Sequence, residues 1–283
     1  MEKLLSCFRI RSVFSITNGV EEVKHFAKKQ SDYTNSILQK EPFERKRHKL
    51  SIQDHLDGGR GMNKRQMLQM LELSSLAYRD NQPLCHCTSM TVLRERTSDT
   101  ECFVRVRGDF ISIVFRGTDS LINWKNDFRF CKRVIPYDNE KTDIRVHAGF
   151  LETYRAIRPR IHTLIPPGAC RVMVSGHSLG AALAVLCAVD IQYNFPHKDV
   201  EVYLFGCPRV GNRAFARSYN KRVFKTLRVT NGNDIVTKVP PALWGFRHVG
   251  IDIHVGAPRL PFVVSLGAHR PQRYYKALWW RCG

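Results

Sequence analysis

The stretch VMVSGHSLGAALAVLCAVD, residues 172–190, constrains the fold more than any other part of the sequence. It begins as an apolar strand-like run and continues as a series of small apolar residues, which suit a helix packed closely on a sheet. Gly176 and Gly180 stand two positions before and two positions after Ser178. The pattern predicts a sharp strand-to-helix turn with a serine at its tip, because glycines avoid the clash between the two backbones.

A Gly-x-Ser-x-Gly pattern also arises by chance and can mark an ordinary turn. Here the strand predicted over 171–175 and the helix predicted over 179–194 supply the flanking elements that a nucleophile-bearing turn requires. The amino terminus of that helix also favours negative charge beside Ser178. We therefore interpret Ser178 as a candidate nucleophile.

Short apolar runs alternate with helical patterns along most of the chain. This alternation predicts an α/β fold with a mostly parallel central sheet flanked by helices. The predicted strands are 88–94, 101–107, 109–115, 171–175, 200–205 and 224–230, and the predicted helices include 149–165, 179–194 and 212–221.

The first 62 residues differ in composition from the rest. They alternate basic clusters with polar stretches and end in a glycine-rich segment, which indicates a basic, partly disordered N-terminal extension. Helical apolar spacing begins at residue 63, with Met67, Leu68 and Leu71 on one face. We predict a single folded domain over 63–283.

Cysteine usage and hydropathy bear on location. No run of about 18 uncharged apolar residues occurs, so no transmembrane helix is predicted. Arg9 and Arg11 interrupt the apolar N-terminal segment, which argues against a signal peptide. The nine cysteines are an odd number and several lie in predicted core elements, which favours free thiols in a reducing compartment. We expect a cytoplasmic protein, with peripheral attachment to membranes left open.

The formal net charge is +20, and the excess of basic residues extends along the whole chain. Such a field attracts polyanions, either an anionic membrane surface or nucleic acid. No nucleic-acid-binding signature accompanies it, so a lipid surface is the favoured partner and nucleic acid is disfavoured. A charge that serves only solubility explains the composition equally well, and the oligomeric state is undetermined.

A serine nucleophile needs a base, and the base needs an orienting acid. Asp234 follows the predicted strand 224–230, at the carboxyl edge where such sites assemble. Three histidines come after it: His248, His254 and His269. The first two lie in or beside a β-like stretch, whereas His269 lies in a loop after the last core element. Spacing therefore favours His269 as the base.

The oxyanion hole of such an enzyme needs two backbone N–H groups. Leu179, directly after Ser178, can supply one, and Thr118, after the strand 109–115, can supply the other. A tight turn without a catalytic role is the alternative for the RGTD segment. The motif Cys85-His86-Cys87 is too tightly spaced for a metal clip, so we predict no metal and no cofactor.

Several segments together make a family resemblance specific. The chain is similar to class 3 lipases of the fungal triacylglycerol lipase type over about 63–280. The matching pieces are LSSLAYRD (73–80), SIVFRGTDSLINWKNDF (112–128), VHAGFLETY (146–154), VMVSGHSLGAALA (172–184), YLFGCPRVGNRAFA (203–216), RVTNGNDIVTKVPP (228–241), FRHVG (246–250) and the terminal His269.

The resemblance implies an α/β-hydrolase fold, a triad of Ser178, Asp234 and His269, and oxyanion donors at Thr118 and Leu179. It also implies that His248 is a structural histidine. The family's lid corresponds to 120–127, where Leu121, Ile122 and Trp124 are candidates for an apolar edge over the acyl groove; a fixed loop with Trp124 in the core is the alternative. The basic composition departs from those secreted fungal lipases.

The predicted function is hydrolysis of a lipid ester, an acylglycerol or a phospholipid acyl chain, through an acyl-enzyme on Ser178. An esterase for small soluble esters is the alternative among enzymes. A non-catalytic membrane-binding protein of the same fold is a further alternative, which the complete set of Ser, Asp and His disfavours.

Overall fold

The computed structural model describes residues 60–78, 89–96, 100–117, 132–134, 143–258, 260 and 263–281. All of them belong to one compact unit, Asp54–Gly283. The first described helix begins at Arg60, within the glycine-rich segment predicted to end the N-terminal extension. Apart from these first helical residues, the predicted extension 1–62 lies outside the described residues.

The described elements alternate as the sequence pattern predicts. The helices are α1 (Arg60–Leu76), α2 (Ala148–Thr163), α3 (Leu179–Asn194), α4 (Arg213–Arg222) and α5 (Pro271–Arg281). The strands are β1 (Ser89–Glu95), β2 (Thr100–Arg107), β3 (Phe110–Phe115), β4 (Lys132–Val134), β5 (Arg145–His147), β6 (Arg171–His177), β7 (Asp199–Phe205), β8 (Gly211–Asn212), β9 (Thr226–Asn231), β10 (Phe246–Arg247) and β11 (Ile251–Val255). Three short 3-10 turns follow β9: Val236–Lys238, Ala242–Trp244 and Gly267–His269.

Seven strands form the central sheet, in the order β1-β2-β3-β6-β7-β9-β11. In this sheet the five strands β3, β6, β7, β9 and β11 pair in parallel, and β1 and β2 add an antiparallel edge. The short strands β10, β8, β5 and β4 make a second, antiparallel sheet. The predicted mostly parallel central sheet is confirmed.

Helices cover both faces of the central sheet. On one face α3 packs against β3, β6 and β7, and α2 packs against α3, β1 and β2. This position explains why α3 is apolar almost all round, with Ala181, Leu183 and Val185 among its fully buried residues. On the other face α1 and α5 enclose a second cluster that includes Met70, Leu71 and Tyr274. None of the described helices is long and apolar enough to cross a membrane.

Asp190, within the helix predicted over 179–194, is the fully buried polar link between α3 and α2. Its carboxylate accepts hydrogen bonds from the Tyr154 hydroxyl at 2.6 Å and from Arg158 Nε at 2.9 Å. His162 Nε2, at 2.5 Å, and Asn194 Nδ2, at 2.9 Å, complete its shell. The buried charge is therefore both paired and hydrogen-bonded.

Replacing this carboxylate tests how α2 is held on α3. We expect Asp190→Ala to lower the free energy of unfolding by about 3 kcal/mol, because it leaves Arg158 without its buried acid. Urea denaturation measures the loss. Asp199→Ala is the matched control, since it removes the solvent-exposed pair with Lys225 and should cost less than about 1 kcal/mol. Equal losses in the two variants would contradict the role given to Asp190.

Candidate active site

Ser178 lies at the tip of a sharp turn between β6 and α3. Its backbone has φ 60° and ψ −126°, and no other non-glycine residue in the described part of the chain has a positive φ. Such a conformation costs on the order of 1–3 kcal/mol and persists only where the surroundings hold it. The turn predicted from the sequence is therefore present, and it is strained.

Two glycines make this turn sterically accessible. A Cβ added at Gly176 would lie 2.3 Å from the carbonyl carbon of Gly180. A Cβ added at Gly180 would lie 2.4 Å from the carbonyl oxygen of Phe115, at the end of β3. Both positions need glycine because three backbones, those of β3, β6 and α3, meet here within van der Waals contact.

Asp234 and His269 meet next to this turn, although 34 residues separate them in the chain. His269 Nδ1 lies 2.8 Å from Asp234 Oδ2, and both side chains are buried. The other carboxylate oxygen, Oδ1, accepts from the Val236 N–H at 2.9 Å. Because an ionised carboxylate only accepts, Nδ1 carries the proton and Nε2 has its lone pair free, which is the tautomer that a base requires.

The hydroxyl of Tyr274 donates a third hydrogen bond to this carboxylate, at 2.5 Å from Asp234 Oδ2. Burial, and then the nearby Asp234 charge, raise the pKa of Tyr274, so the hydroxyl stays protonated and donates. Sequence reasoning gave Tyr274 no part in the site and missed this contact. Its position five residues after His269 is the only sequence signal that could have suggested it.

Gly206, directly after β7, gives the His269 ring its space. It has φ +59°, and a Cβ there would lie 2.8 Å from His269 Cε1 and 3.2 Å from Asp234 Oδ2. No local sequence pattern singles out this residue. Its importance comes from a contact across 63 positions of the chain.

His177 connects Ser178 to the pair. Its ring lies 4.5 Å from that of His269, and its Nε2 lies 2.7 Å from the His269 carbonyl oxygen. A carbonyl only accepts, so Nε2 donates and Nδ1 accepts from the Tyr78 hydroxyl at 2.9 Å. Burial, and then His269, hold the pKa of His177 well below its usual value, so this ring stays neutral.

Two reactive atoms are left without partners at this place. Ser178 Oγ and His269 Nε2 are buried, and neither has a hydrogen-bond partner among the described residues. Buried polar atoms of this kind are rare in proteins and call for an explanation. One explanation is that the two atoms are a nucleophile and a base, because the contacts between such groups are often loose in the absence of substrate.

The neighbouring backbone suits a developing negative charge. Leu179 is the first residue of α3, so its N–H has no acceptor within the helix and lies at the positive end of the helix dipole. Gly117, after β3, approaches the same turn, because a Cβ there would lie 2.6 Å from the His177 carbonyl oxygen. The other predicted donor, Thr118, lies outside the described residues.

The predicted lid residues Leu121, Ile122 and Trp124 also lie outside the described residues. The aromatic residues of α5 are described, and they differ in burial. Tyr274 is buried against the site, whereas Trp279 and Trp280 on the same helix are exposed.

The other histidines after Asp234 have structural surroundings. His248 Nε2 lies 2.8 Å from the Thr237 carbonyl oxygen, and burial, followed by the charges of Arg228 and Arg209, lowers its pKa to about 3. A base with so low a pKa is weak near neutral pH. His254 lies in β11, as expected, with Nε2 3.0 Å from the Ala257 carbonyl oxygen.

Among the described residues, no group of three or more His, Cys, Asp or Glu could hold a metal ion. The motif Cys85-His86-Cys87 lies outside them. The chemistry available at the described site is that of a serine, an imidazole, a carboxylate and backbone N–H groups.

Comparison with known proteins agrees with this geometry. The sequence model of the family described as lipase (class 3) matches residues 112–244. A lipase of Rhizomucor miehei is 36% identical over 163 residues, which are 54% of this chain and 44% of that protein. The chloroplastic phospholipase A(1) DAD1 of Arabidopsis thaliana is 34% identical over 161 residues, 50% of this chain and 36% of that protein. The chain thus spans less than half the length of both relatives.

A solved structure supports the same assignment. A triacylglycerol lipase in which a serine protease triad forms the catalytic centre superimposes with a TM-score of 0.58 and 29% identity, covering 68% of this chain and 79% of the other. The central sheet and its flanking helices are therefore an α/β-hydrolase fold. Residues 112–244, which include the Ser178 turn and Asp234, are thus similar to the class 3 lipase family.

Proposed function

We propose that the protein is a serine carboxylic-ester hydrolase that acts on lipid esters through an acyl-enzyme on Ser178. One observation carries the proposal. The hydrogen-bonded pair of Asp234 and His269 lies beside the strained Ser178 turn, and both Ser178 Oγ and His269 Nε2 are buried without partners among the described residues. Buried polar atoms without a partner are uncommon, and these two belong to the candidate nucleophile and the candidate base.

The proposed reaction uses each group once per half-cycle. Ser178 Oγ attacks the ester carbonyl carbon while His269 Nε2 takes its proton, and Asp234 stabilises the resulting imidazolium. The carbonyl oxygen becomes an oxyanion that the Leu179 N–H and Thr118 would bind. His269 then returns the proton to the leaving alcohol. A water molecule, activated by His269, releases the acid from Ser178 by the same steps in reverse.

The class of substrate is proposed from the relatives and the charge. The matched relatives include a lipase and a phospholipase A(1), so an acylglycerol or a phospholipid acyl ester is the favoured substrate. The net charge of +20 favours an anionic lipid surface over a neutral one. An esterase for small soluble esters would use the same site without needing an interface.

The cysteines support the proposed cytoplasmic location. The four that the structure describes, Cys102, Cys170, Cys187 and Cys207, are all free. Burial raises the pKa of the Cys102 and Cys187 thiols, so these two behave as inert apolar side chains. We propose that the protein resides in a reducing compartment and attaches peripherally to membrane surfaces.

Loss of the nucleophile is the first test. We expect Ser178→Ala to lower kcat for a short-chain nitrophenyl ester by about 10⁴-fold or more, because the covalent route is removed. Stopped-time spectrophotometry of the released nitrophenol measures the rate. Ser75→Ala, which removes a hydroxyl bonded only to the helix backbone, should leave the rate within about twofold. A Ser178→Ala protein with normal activity would overturn the proposal.

The same two proteins tested on mixed-lipid vesicles separate a lipase from an esterase. A lipase should cleave vesicle lipid, with a rate that rises when the soluble ester passes from monomers to aggregates. An esterase should show no such rise.

Gly206 provides a test of the ring position. We expect Gly206→Ala to lower kcat/KM about 10²-fold, since its Cβ would displace the His269 ring by a few tenths of an ångström or more. Gly108→Ala is the matched control: Gly108 has nearly the same φ, +58°, but a Cβ there meets nothing within 4 Å. It should cost about 1 kcal/mol of stability and no activity. Equal activities in the two variants would contradict the assigned ring position.

A further inference from the structure

Two apolar segments are exposed to solvent beside the part of the chain that carries Asp234. Leu243 is 97% exposed and Trp244 is 51% exposed, both on the turn Ala242–Trp244. The second segment contributes four more exposed aliphatic side chains: Leu260, Val263, Val264 and Leu266. We call these six residues the apolar rim.

The second segment is bonded to the backbone around Asp234. Ser265 forms a β-bridge with Asp234, with its N–H donating to Asn233 O at 2.8 Å and its carbonyl accepting from the Ile235 N–H at 3.3 Å. The N–H of Leu260 donates to Asn233 Oδ1 at 3.1 Å. The second segment therefore lies next to Asp234, at the carboxyl edge of the sheet.

The rim carbonyls are bonded by cations. Lys132 Nζ lies 2.6 Å from the Trp244 carbonyl oxygen, and Lys238 Nζ lies 2.9 Å from that of Val263. The guanidinium of Arg247 donates to the Ala242 carbonyl oxygen at 2.8 Å. Each apolar segment is thus hydrogen-bonded by at least one charged side chain.

One more arginine lies under the turn. Arg209 donates to the Pro240 carbonyl oxygen at 2.9 Å and to that of Lys238. Burial, and then the charges of Arg228 and Arg247, lower the pKa of Arg209, as expected where like charges converge.

Among the described residues, these cations have no carboxylate partner. Within the described part of the chain, no ion pair joins a carboxylate to Lys132, Lys238, Arg247 or Arg209. Their positive charge is therefore available to an external anion.

This combination matches the physical demands of a bilayer surface. A backbone carbonyl that enters the water-poor interfacial region must keep a hydrogen-bond partner, and here cations supply one. Burial of exposed leucine and tryptophan side chains at that depth stabilises binding. Each nearby Lys or Arg stabilises it by a further amount on the order of 1 kcal/mol through anionic headgroups. Exposed apolar surface and unpaired cations together fit an anionic bilayer better than a neutral one.

We propose that the apolar rim, together with Lys132, Lys238 and Arg247, is a docking surface for bilayers that contain anionic phospholipids. The turn Ala242–Trp244 inserts between the headgroups, and the cations contact phosphate groups at the same depth. Docking brings the edge that carries Asp234 and His269 against the membrane. The inference rests on the proposed lipid-ester function for its purpose, but the binding itself needs no hydrolysis.

The test therefore uses full-length protein carrying Ser178→Ala, so that no lipid is consumed. Co-sedimentation is measured with vesicles of phosphatidylcholine alone and with vesicles containing phosphatidylglycerol. We expect binding to the anionic vesicles that falls at least tenfold in Leu243→Ser/Trp244→Ser. The matched control Tyr193→Ser/Phe224→Ser removes two exposed aromatic residues elsewhere, and its binding should stay within about twofold.

Charge is tested with a second matched pair. Lys238→Gln/Arg247→Gln should lower binding to anionic vesicles about tenfold and leave binding to neutral vesicles unchanged. Lys221→Gln/Arg222→Gln, which removes the same charges from the exposed end of α4, should change it less than threefold. Thermal melting of every variant shows that each is folded.

Three outcomes would overturn the inference. Binding that persists in Leu243→Ser/Trp244→Ser would assign the membrane contact to another part of the chain. Equal binding to neutral and anionic vesicles would remove the role of the cations. A change of oligomeric state in that variant, seen by analytical ultracentrifugation without a change in vesicle binding, would make the rim a contact between copies of this chain. If the unmutated protein hydrolyses no ester, the proposed function is wrong, whereas the measured vesicle binding still supports the docking surface.

Discussion

The close approach of three backbones at the Ser178 turn is the constraint on which the rest of the site depends. Gly176 and Gly180 touch each other and the end of β3, so the chain can reverse direction between β6 and α3 within one residue. That residue takes the strain, with φ 60°. The long buried helix α3 compensates for the cost, because its packing against the sheet and α2 fixes the turn from one side.

A second requirement is the burial of a carboxylate. An ionised group removed from water is stable only when its oxygens are hydrogen-bonded. Asp234 meets this condition with three donors: the Val236 N–H, His269 Nδ1 and the Tyr274 hydroxyl. These donors come from the loop after β9, the last 3-10 turn and the terminal helix α5. The carboxylate that would orient the base therefore also fastens three late segments of the chain to the sheet.

The loop after β9 and the segment before the last 3-10 turn reach the surface as the apolar rim. Since Ser265 bridges to Asp234, a force or a contact on the rim acts on a backbone only one hydrogen bond away from the acid. Lysine and arginine side chains donate hydrogen bonds to the rim carbonyls, so this edge combines exposed apolar side chains with positive charge. Site and surface are thus two sides of one short stretch of polypeptide, which suits an enzyme whose substrate stays in a membrane.

Sequence alone determined what depends on local pattern. The Ser178 turn, the strands and helices around it and the parallel sheet follow from apolar periodicity and from glycines at fixed offsets, which act over a few residues. The place of Asp234 after a strand followed in the same way, and His269 was favoured by spacing and by the family resemblance. The thiol count and the basic composition were likewise visible without a structure.

Only the tertiary structure decided which distant groups meet. The neutral state of His248 follows from its burial beside two arginines, and neither arginine is adjacent to it in the sequence. Tyr274 bonds Asp234 across 40 positions, and Gly206 makes room for a ring 63 positions away. The sequence did not predict the exposure of Leu243 either, because a leucine between a proline-rich turn and a strand is typical of a buried core position. Such contacts depend on how whole elements pack in three dimensions. No local pattern of residues encodes which distant side chains that packing brings together.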